Sequence, residues 1–253
     1  MTIQVDIVPR HDAYNKLPEL YKPQLANKFL PEWYKKQKYT HLSKSFGTDG
    51  TDNFTPKTTK NCPAIRDMIT DGIILPAWTD LVIVKNNEEH LWNLSLGNSH
   101  TLIETELELI AKHTNSQTEP MELHNIPNYG TLKLTSPYYF RTPKGYGLRF
   151  NDPFYHHRRN IRMLPAQVET DKWHEVNFPF EFYRELDTSD RLYVKAGEPL
   201  LSIVPYKITD NKITINTNND VENIREVQSE NNVISHSLSS DWYDYKKAKV
   251  EEE

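Results

Sequence analysis

The sequence predicts a mainly β fold, a sandwich or barrel with a few short helices and an N-terminal arm. Three features point there: short apolar runs with strand-like alternation recur between residues 72 and 217, prolines outnumber glycines 16 to 8, and aromatics are abundant. An excess of proline over glycine makes connections short and stiff. The 14 tyrosines, 9 phenylalanines and 5 tryptophans supply core volume that the modest aliphatic content does not. A length of 253 residues suits one large domain, or one domain with extensions.

Residues 1–60 read as an arm packed on the body. LPELYKPQLANKFLPEWYKKQKY is cut into short pieces by Pro18, Pro23 and Pro31, with a helical turn starting at Pro31. Trp33, Tyr34 and Tyr39 are its expected anchors, and HLSKSFGTDGTDNFTPKTTKN reads as loop. A β-rich core domain is expected over residues 61–217. CPAIRDMITDG opens it as a helix, with Pro63 at the start, Ile65, Met68 and Ile69 at helical spacing, and Gly72 as the stop. GIILPAWTDLVIV and HLWNLSL read as strands, the first interrupted at Pro76. TLIETELELIAKH carries a capping box, Thr101 with Glu104, and also a strand-like alternation through Glu104, Glu106 and Glu108; it is taken as helix.

HEVNFPFEF is the clearest strand. Val176, Phe178, Phe180 and Phe182 share a core face, while Glu175, Asn177, Pro179 and Glu181 share the other. Truncating Glu181 is therefore expected to cost little, and Pro179, which cannot donate to a ladder, implies an edge position or a bulge. In RLYVKAGEPLLSIVPYKITDNKITI, Gly197-Glu198 makes a turn, LLSIV reads as a central strand, and Asp210-Asn211 suits a tight hairpin. Residues 218–253 are polar and read as a surface helix or a tail.

Composition narrows the setting. A single cysteine, Cys62, excludes an internal disulfide and any cysteine-based zinc site within one chain; it reads as a small buried hydrophobe. No apolar run approaches the roughly 20 residues that span a bilayer, and MTIQVDIVPRHD lacks a signal-peptide pattern, so a cytoplasmic protein without membrane association is expected. The net charge of −5 disfavours wholesale binding of nucleic acid, although a local patch is compatible with it. Oligomerisation stays open.

One stretch stands apart. RTPKGYGLRFNDPFYHHRRNIRML, residues 141–164, sets Arg141, Lys144, Arg149, Arg158, Arg159 and Arg162 against one acid, Asp152, in an otherwise acidic chain. Guanidinium forks suit phosphate or carboxylate, and tyrosines can stack on a planar ligand, so Arg141, Lys144, Tyr146, Arg149, Tyr155, Arg158 and Arg159 are the candidate ligand-binding residues. The competing explanation is an arginine-rich sheet face pairing with acids elsewhere in the chain. His156-His157 does not suggest a metal, because neighbours on a strand point to opposite faces; His113, His124 and His174 read as structural or solvent-facing. Glu169 and Asp171 would share a face if VETDKW is extended. With His174 they are the candidate catalytic residues, for orienting a ribose, holding a cation or acting as a general base; exposed acids at a strand end are the plainer alternative. No cofactor is assigned.

TPKGYG, NDP, VETD, VNFPF and AGEPLLSIVPYK, in that order, resemble an uncharacterised protein family of tailed phages and marine bacteria. HTNSQ at 113–117 and CPAIRDMITDGIILP at 62–76 are similar to its upstream parts, so the resemblance spans most of residues 30–207. Ser202 stands where the family has Gln, and Glu169 where it has its first Asp. The family carries no assigned activity. A fainter likeness is to the trimeric dUTPase fold, a β-clip, through an Asp-plus-aromatic element and a glycine turn into an apolar strand. Glu175 follows Trp173-His174 without the flanking glycine, and no Ser-rich phosphate motif precedes it, so nucleotide hydrolysis is not implied.

The expected function is a non-catalytic binding or assembly protein, phage-derived, presenting the 141–162 segment to an anionic small molecule or protein partner. The alternative is a small-molecule enzyme, either nucleotide-handling or cupin-like on a double-stranded β-helix, with Glu169, Asp171 and His174 near its pocket.

Overall fold

The computed structural model describes residues 2–39, 58–85, 92–96, 110–112, 132–156, 161–182, 191–209, 213–215, 221–222 and 224–229. Residues 1–209 form one compact unit and residues 210–253 another. In the second, residues 221–222 and 224–229 are helical. The first contains, in chain order, β1 (Asp6–Pro9), α1 (Asp12–Asn15), β2 (Gln24–Leu25), α2 (Glu32–Lys36), α3 (Pro63–Thr70), β3 (Ile73–Pro76), β4 (Leu81–Lys85), β5 (Trp92–Leu96), β6 (Ile110–Lys112), β7 (Leu132–Arg141), β8 (Tyr146–Asn151), β9 (Ile161–Met163), β10 (Ala166–Val168), β11 (Glu175–Phe182), β12 (Arg191–Val194) and β13 (Pro199–Lys207).

The fold is a mainly β sandwich. One five-stranded sheet has the order β1-β7-β11-β9, with β6 also on β7; the other has the order β10-β8-β13-β3-β2; β12-β4-β5 makes a small third sheet. Neither large sheet closes into a barrel among the described residues. Strand alternation turns one face of each large sheet inward. Phe140 and Phe178 from the first meet Phe150 from the second, with ring centroids 5.6 and 5.7 Å away and none of the three rings more than 2% exposed.

The first 39 residues enter both sheets. β1 pairs with the end of β7 and β2 with β3, and Tyr14 lies in the core. Ala26 and Phe29 cover Ile74 on the outer face of the second sheet. Of the three expected anchors, Tyr34 is buried and Trp33 half-buried, but Tyr39 is 61% exposed and anchors nothing by burial. The predicted helix at Pro63 is α3, with proline in its first turn. Gly72 ends it at φ 75°, where an added Cβ would sit 2.3 Å from the Ile203 carbonyl oxygen.

Of the two alternatives that Pro179 implied, the edge position is excluded, since β11 runs between β7 and β9, and the bulge is present, between Glu175 and Asn177. Pro179 is tolerated there because its carbonyl accepts from Leu164 N–H just beyond β9. The missing N–H points the same way, past the end of the ladder. Glu181, expected on a solvent face, is only 4% exposed and pairs with Arg162 opposite it on β9. Finally, Ile110–Lys112 is strand β6, paired with Leu132–Leu134, and not the end of a helix; the rest of TLIETELELIAKH lies outside the described residues. LLSIV does occupy a central strand, β13 lying between β8 and β3. Asp210-Asn211 lies outside the described residues. No helix among them is long and apolar enough to cross a membrane.

Candidate functional site

Two turns meet at the end of the sandwich where β7 leaves for β8 and where β11 begins. The first is Pro143-Lys144-Gly145-Tyr146, closed by Tyr146 N–H to the Pro143 carbonyl at 3.1 Å. Gly145 sits at φ 81°, the third-position conformation of a type II turn, which glycine adopts without steric cost. The second turn is Glu169–Trp173, where the N–H groups of Lys172 and Trp173 both reach the Glu169 carbonyl at 3.0 Å. VETDKW is therefore turned after Val168, not extended, and Glu169 and Asp171 do not share a strand face.

Polar groups brace one turn against the other. Asp171 Oδ2 accepts from Gly145 N–H at 2.9 Å. Thr142 Oγ1 gives its one hydrogen to the Tyr146 carbonyl at 2.6 Å. The 2.9 Å contact between the Thr142 and Thr170 hydroxyls must then be donated by Thr170, whose side chain is fully buried. His174 Nδ1 donates to the Thr170 carbonyl at 2.9 Å, which fixes the tautomer carrying hydrogen on Nδ1. Glu169 pairs with Lys172 at 2.6 Å. Each member of the expected catalytic set thus holds a turn together, and no hydrogen bond or ion pair joins any two of them. Among the described residues no three His, Cys, Asp or Glu side chains stand together as a metal site. Trp173, which motif reading passed over, stands 65% exposed on the second turn.

The basic-aromatic segment is divided by the fold. Phe140 faces the core from the first sheet, so Arg141 points outward from it; Leu148 and Phe150 face the core from the second, so Arg149 points outward from that one. The two guanidiniums lie on opposite faces of the sandwich and cannot grip one small ligand together. Arg141 is used locally, with Nε and Nη2 at 3.1 and 2.7 Å from Asp6 Oδ2 directly across on β1. Hydrogen bonds from Gln4, then from Arg141, hold the Asp6 carboxyl below its ordinary range. Arg162 is committed to Glu181. Arg10, from the arm, lies 3.3 Å from Glu175 and over the Tyr139 ring. Tyr155, at φ 60°, gives its carbonyl to the Trp33 indole N–H at 3.0 Å, with the two rings edge to face at 6.0 Å. His157, Arg158 and Arg159 lie outside the described residues, as do His113 and His124; His156 is half-buried in the turn after Pro153.

Arg149 differs from these arginines. Its guanidinium lies 5.9 Å from the Tyr206 ring centroid and has no carboxylate partner among the described residues. Tyr206 is opposite Gly147 on β13, and its ring lies over that glycine, where a Cβ would come within 2.7 Å of it. The absent side chain at 147 seats the tyrosine, and the tyrosine supports the guanidinium. Gln167, exposed on β10, is the cross-strand neighbour on the other side. Lys144 is exposed and likewise has no acid partner among the described residues; five residues along the chain, its Cα lies no more than about 18 Å from that of Arg149. Tyr206 and Gln167 escape motif reading because they belong to other strands; the signal available was Gly147, since glycine within a strand marks a close approach.

No protein-family model matches the chain, and no curated protein matches it.

Proposed function

We propose that this chain is a non-catalytic binding or assembly protein, allied to the tailed-phage family it resembles and working in the cytoplasm, that presents a basic-aromatic surface to an anionic partner. One observation above the others supports this: Arg149 is solvent-facing, its guanidinium lies 5.9 Å from the Tyr206 ring centroid, and it has no carboxylate partner among the described residues. A guanidinium beside a ring face and without an acid leaves its fork of N–H donors available for phosphate or carboxylate. Lys144 adds a second charge with no acid partner among the described residues. The use of Asp171, Glu169 and His174 as turn braces favours binding over catalysis. The partner is an anionic small molecule or the acidic surface of another protein, with nucleic acid less favoured at a net charge of −5.

The test is a binding titration of nucleotides, 2-oxo acids, acidic peptides and single-stranded oligonucleotides across a salt series. Arg149→Ala and Tyr206→Ala should weaken binding while the unfolding midpoint of Arg149→Ala stays near wild type. Arg149→Lys should also weaken it, because an ammonium loses the planar fork. A steep loss between 50 and 200 mM salt would identify a nucleic acid, through counterion release. Replacing Arg158 and Arg159 together by alanine tests whether they extend the surface. Wild type that binds none of the panel, or Arg149→Ala that binds as wild type does, refutes the proposal.

A further inference from the structure

A second charged group is held without an acid, on the opposite logic. Lys60 Nζ lies 5.6 Å from the Tyr34 ring centroid and 5.0 Å from that of Tyr39. It donates to the carbonyls of Gln37 at 3.1 Å and Lys35 at 3.4 Å. No carboxylate pairs with it among the described residues. Lys36 and Lys38 lie on the segment that supplies the carbonyls, and Lys35 on it is paired with Glu32 at 2.8 Å, so that carboxylate is already engaged. The ammonium is held by two ring faces and two carbonyl dipoles, the groups that recognise organic cations. The walls differ: Tyr34 is 6% exposed and belongs to the fold, whereas Tyr39 is 61% exposed, leaving the cage open to solvent on that side.

The lysine does not arrive alone. Thr58 donates its N–H to the Tyr39 carbonyl at 3.1 Å and its hydroxyl to the Lys38 carbonyl at 2.6 Å. Asn61 Nδ2 reaches the Tyr39 carbonyl at 2.5 Å, and Thr59 Oγ1 the Gln37 side chain at 2.8 Å. Residues 58–61 are laid along residues 35–39, with Lys60 as the charged peg. We propose that Tyr34, Tyr39 and the carbonyls of Lys35 and Gln37 form an alkylammonium-binding site that the chain fills with its own Lys60. The ligand class is a primary alkylammonium, the chemistry of a lysine side chain or a small aliphatic amine. The site is independent of the Arg149 surface.

Chemical rescue tests this on the full chain. Lys60→Ala removes three carbons and the nitrogen, which n-propylammonium restores. The variant should melt roughly 2–4 °C below wild type, the shift that follows from a contribution near 1 kcal/mol in a unit of this size. n-Propylammonium should raise the variant's midpoint saturably and leave wild type unmoved, because the wild-type cage is filled. Sodium chloride and 1-propanol at equal concentration should do neither. A variant that does not respond, or wild type that responds equally, overturns the proposal. Lys60→Met keeps the aliphatic stem and removes the charge, which guards against a variant that fails to fold. It too should melt below wild type, and a Lys60→Met midpoint equal to wild type would show that the cage holds no cation of consequence.

Discussion

Replacing Arg162 by alanine should destabilise the protein more than replacing Glu181, although the two form a single ion pair. The asymmetry comes from burial: the Glu181 side chain is 4% exposed and that of Arg162 is 43% exposed. Arg162→Ala strands a carboxylate in the sheet with nothing to replace water, and an uncompensated buried charge costs about 3–5 kcal/mol. Glu181→Ala leaves a guanidinium that can turn to solvent, so the loss is that of a half-exposed ion pair and some packing, about 1 kcal/mol. Adding Glu181→Gln to Arg162→Ala should recover at least about 1 kcal/mol, since a neutral amide is cheaper to bury than a carboxylate. Urea unfolding of wild type, both single variants and the combined variant at one pH measures all of these. Arg162→Ala within about 0.5 kcal/mol of wild type, or less costly than Glu181→Ala, would show that the carboxylate reaches water and would refute the reasoning.

Gly147→Ala should cost more than Gly145→Ala by unfolding midpoint: at 147 the new Cβ meets the Val168 carbonyl oxygen at 2.6 Å and the Tyr206 ring at 2.7 Å, whereas at 145 nothing lies within 4 Å and only the left-handed backbone, about 1–2 kcal/mol, opposes it. Trp33→Phe keeps a ring against Tyr155 but removes the indole donor, and should lower stability by about 0.5–1.5 kcal/mol in the same assay. The Asp6 carboxyl is held low in the folded state, so its contribution is present above the unfolded carboxylate range and disappears as pH falls through the folded value. Arg141→Ala should move the Asp6 titration upward by NMR, and the stabilities of variant and wild type should converge in acid; an unmoved titration would mean that the pair is not formed in solution.

Local chemistry was enough to determine a good deal of this protein. The alternation in VNFPF put Val176, Phe178 and Phe180 in the core, Pro63 and Gly72 bounded a helix, and Gly197 marked the turn before β13, because each depends on backbone periodicity or on a dihedral that only certain residues adopt. Tertiary structure decided the rest. Alternation says which residues share a face but not what covers that face, so Glu181 read as solvent-exposed until β9 brought Arg162 across from it. A proline reads as the mark of an edge or a bulge, and only the sheet shows a bulged interior strand whose neighbour ends beside the proline. The stretch from Arg141 to Arg149 looks like one basic surface in one dimension. The hairpin carries it from one sheet to the other, turning its two ends to opposite sides of the sandwich, where Asp6 neutralises Arg141 and Tyr206 supports Arg149. Which charges are cancelled and which remain available depends on partners more than fifty residues away in the chain, and only the folded sheets bring those partners within reach.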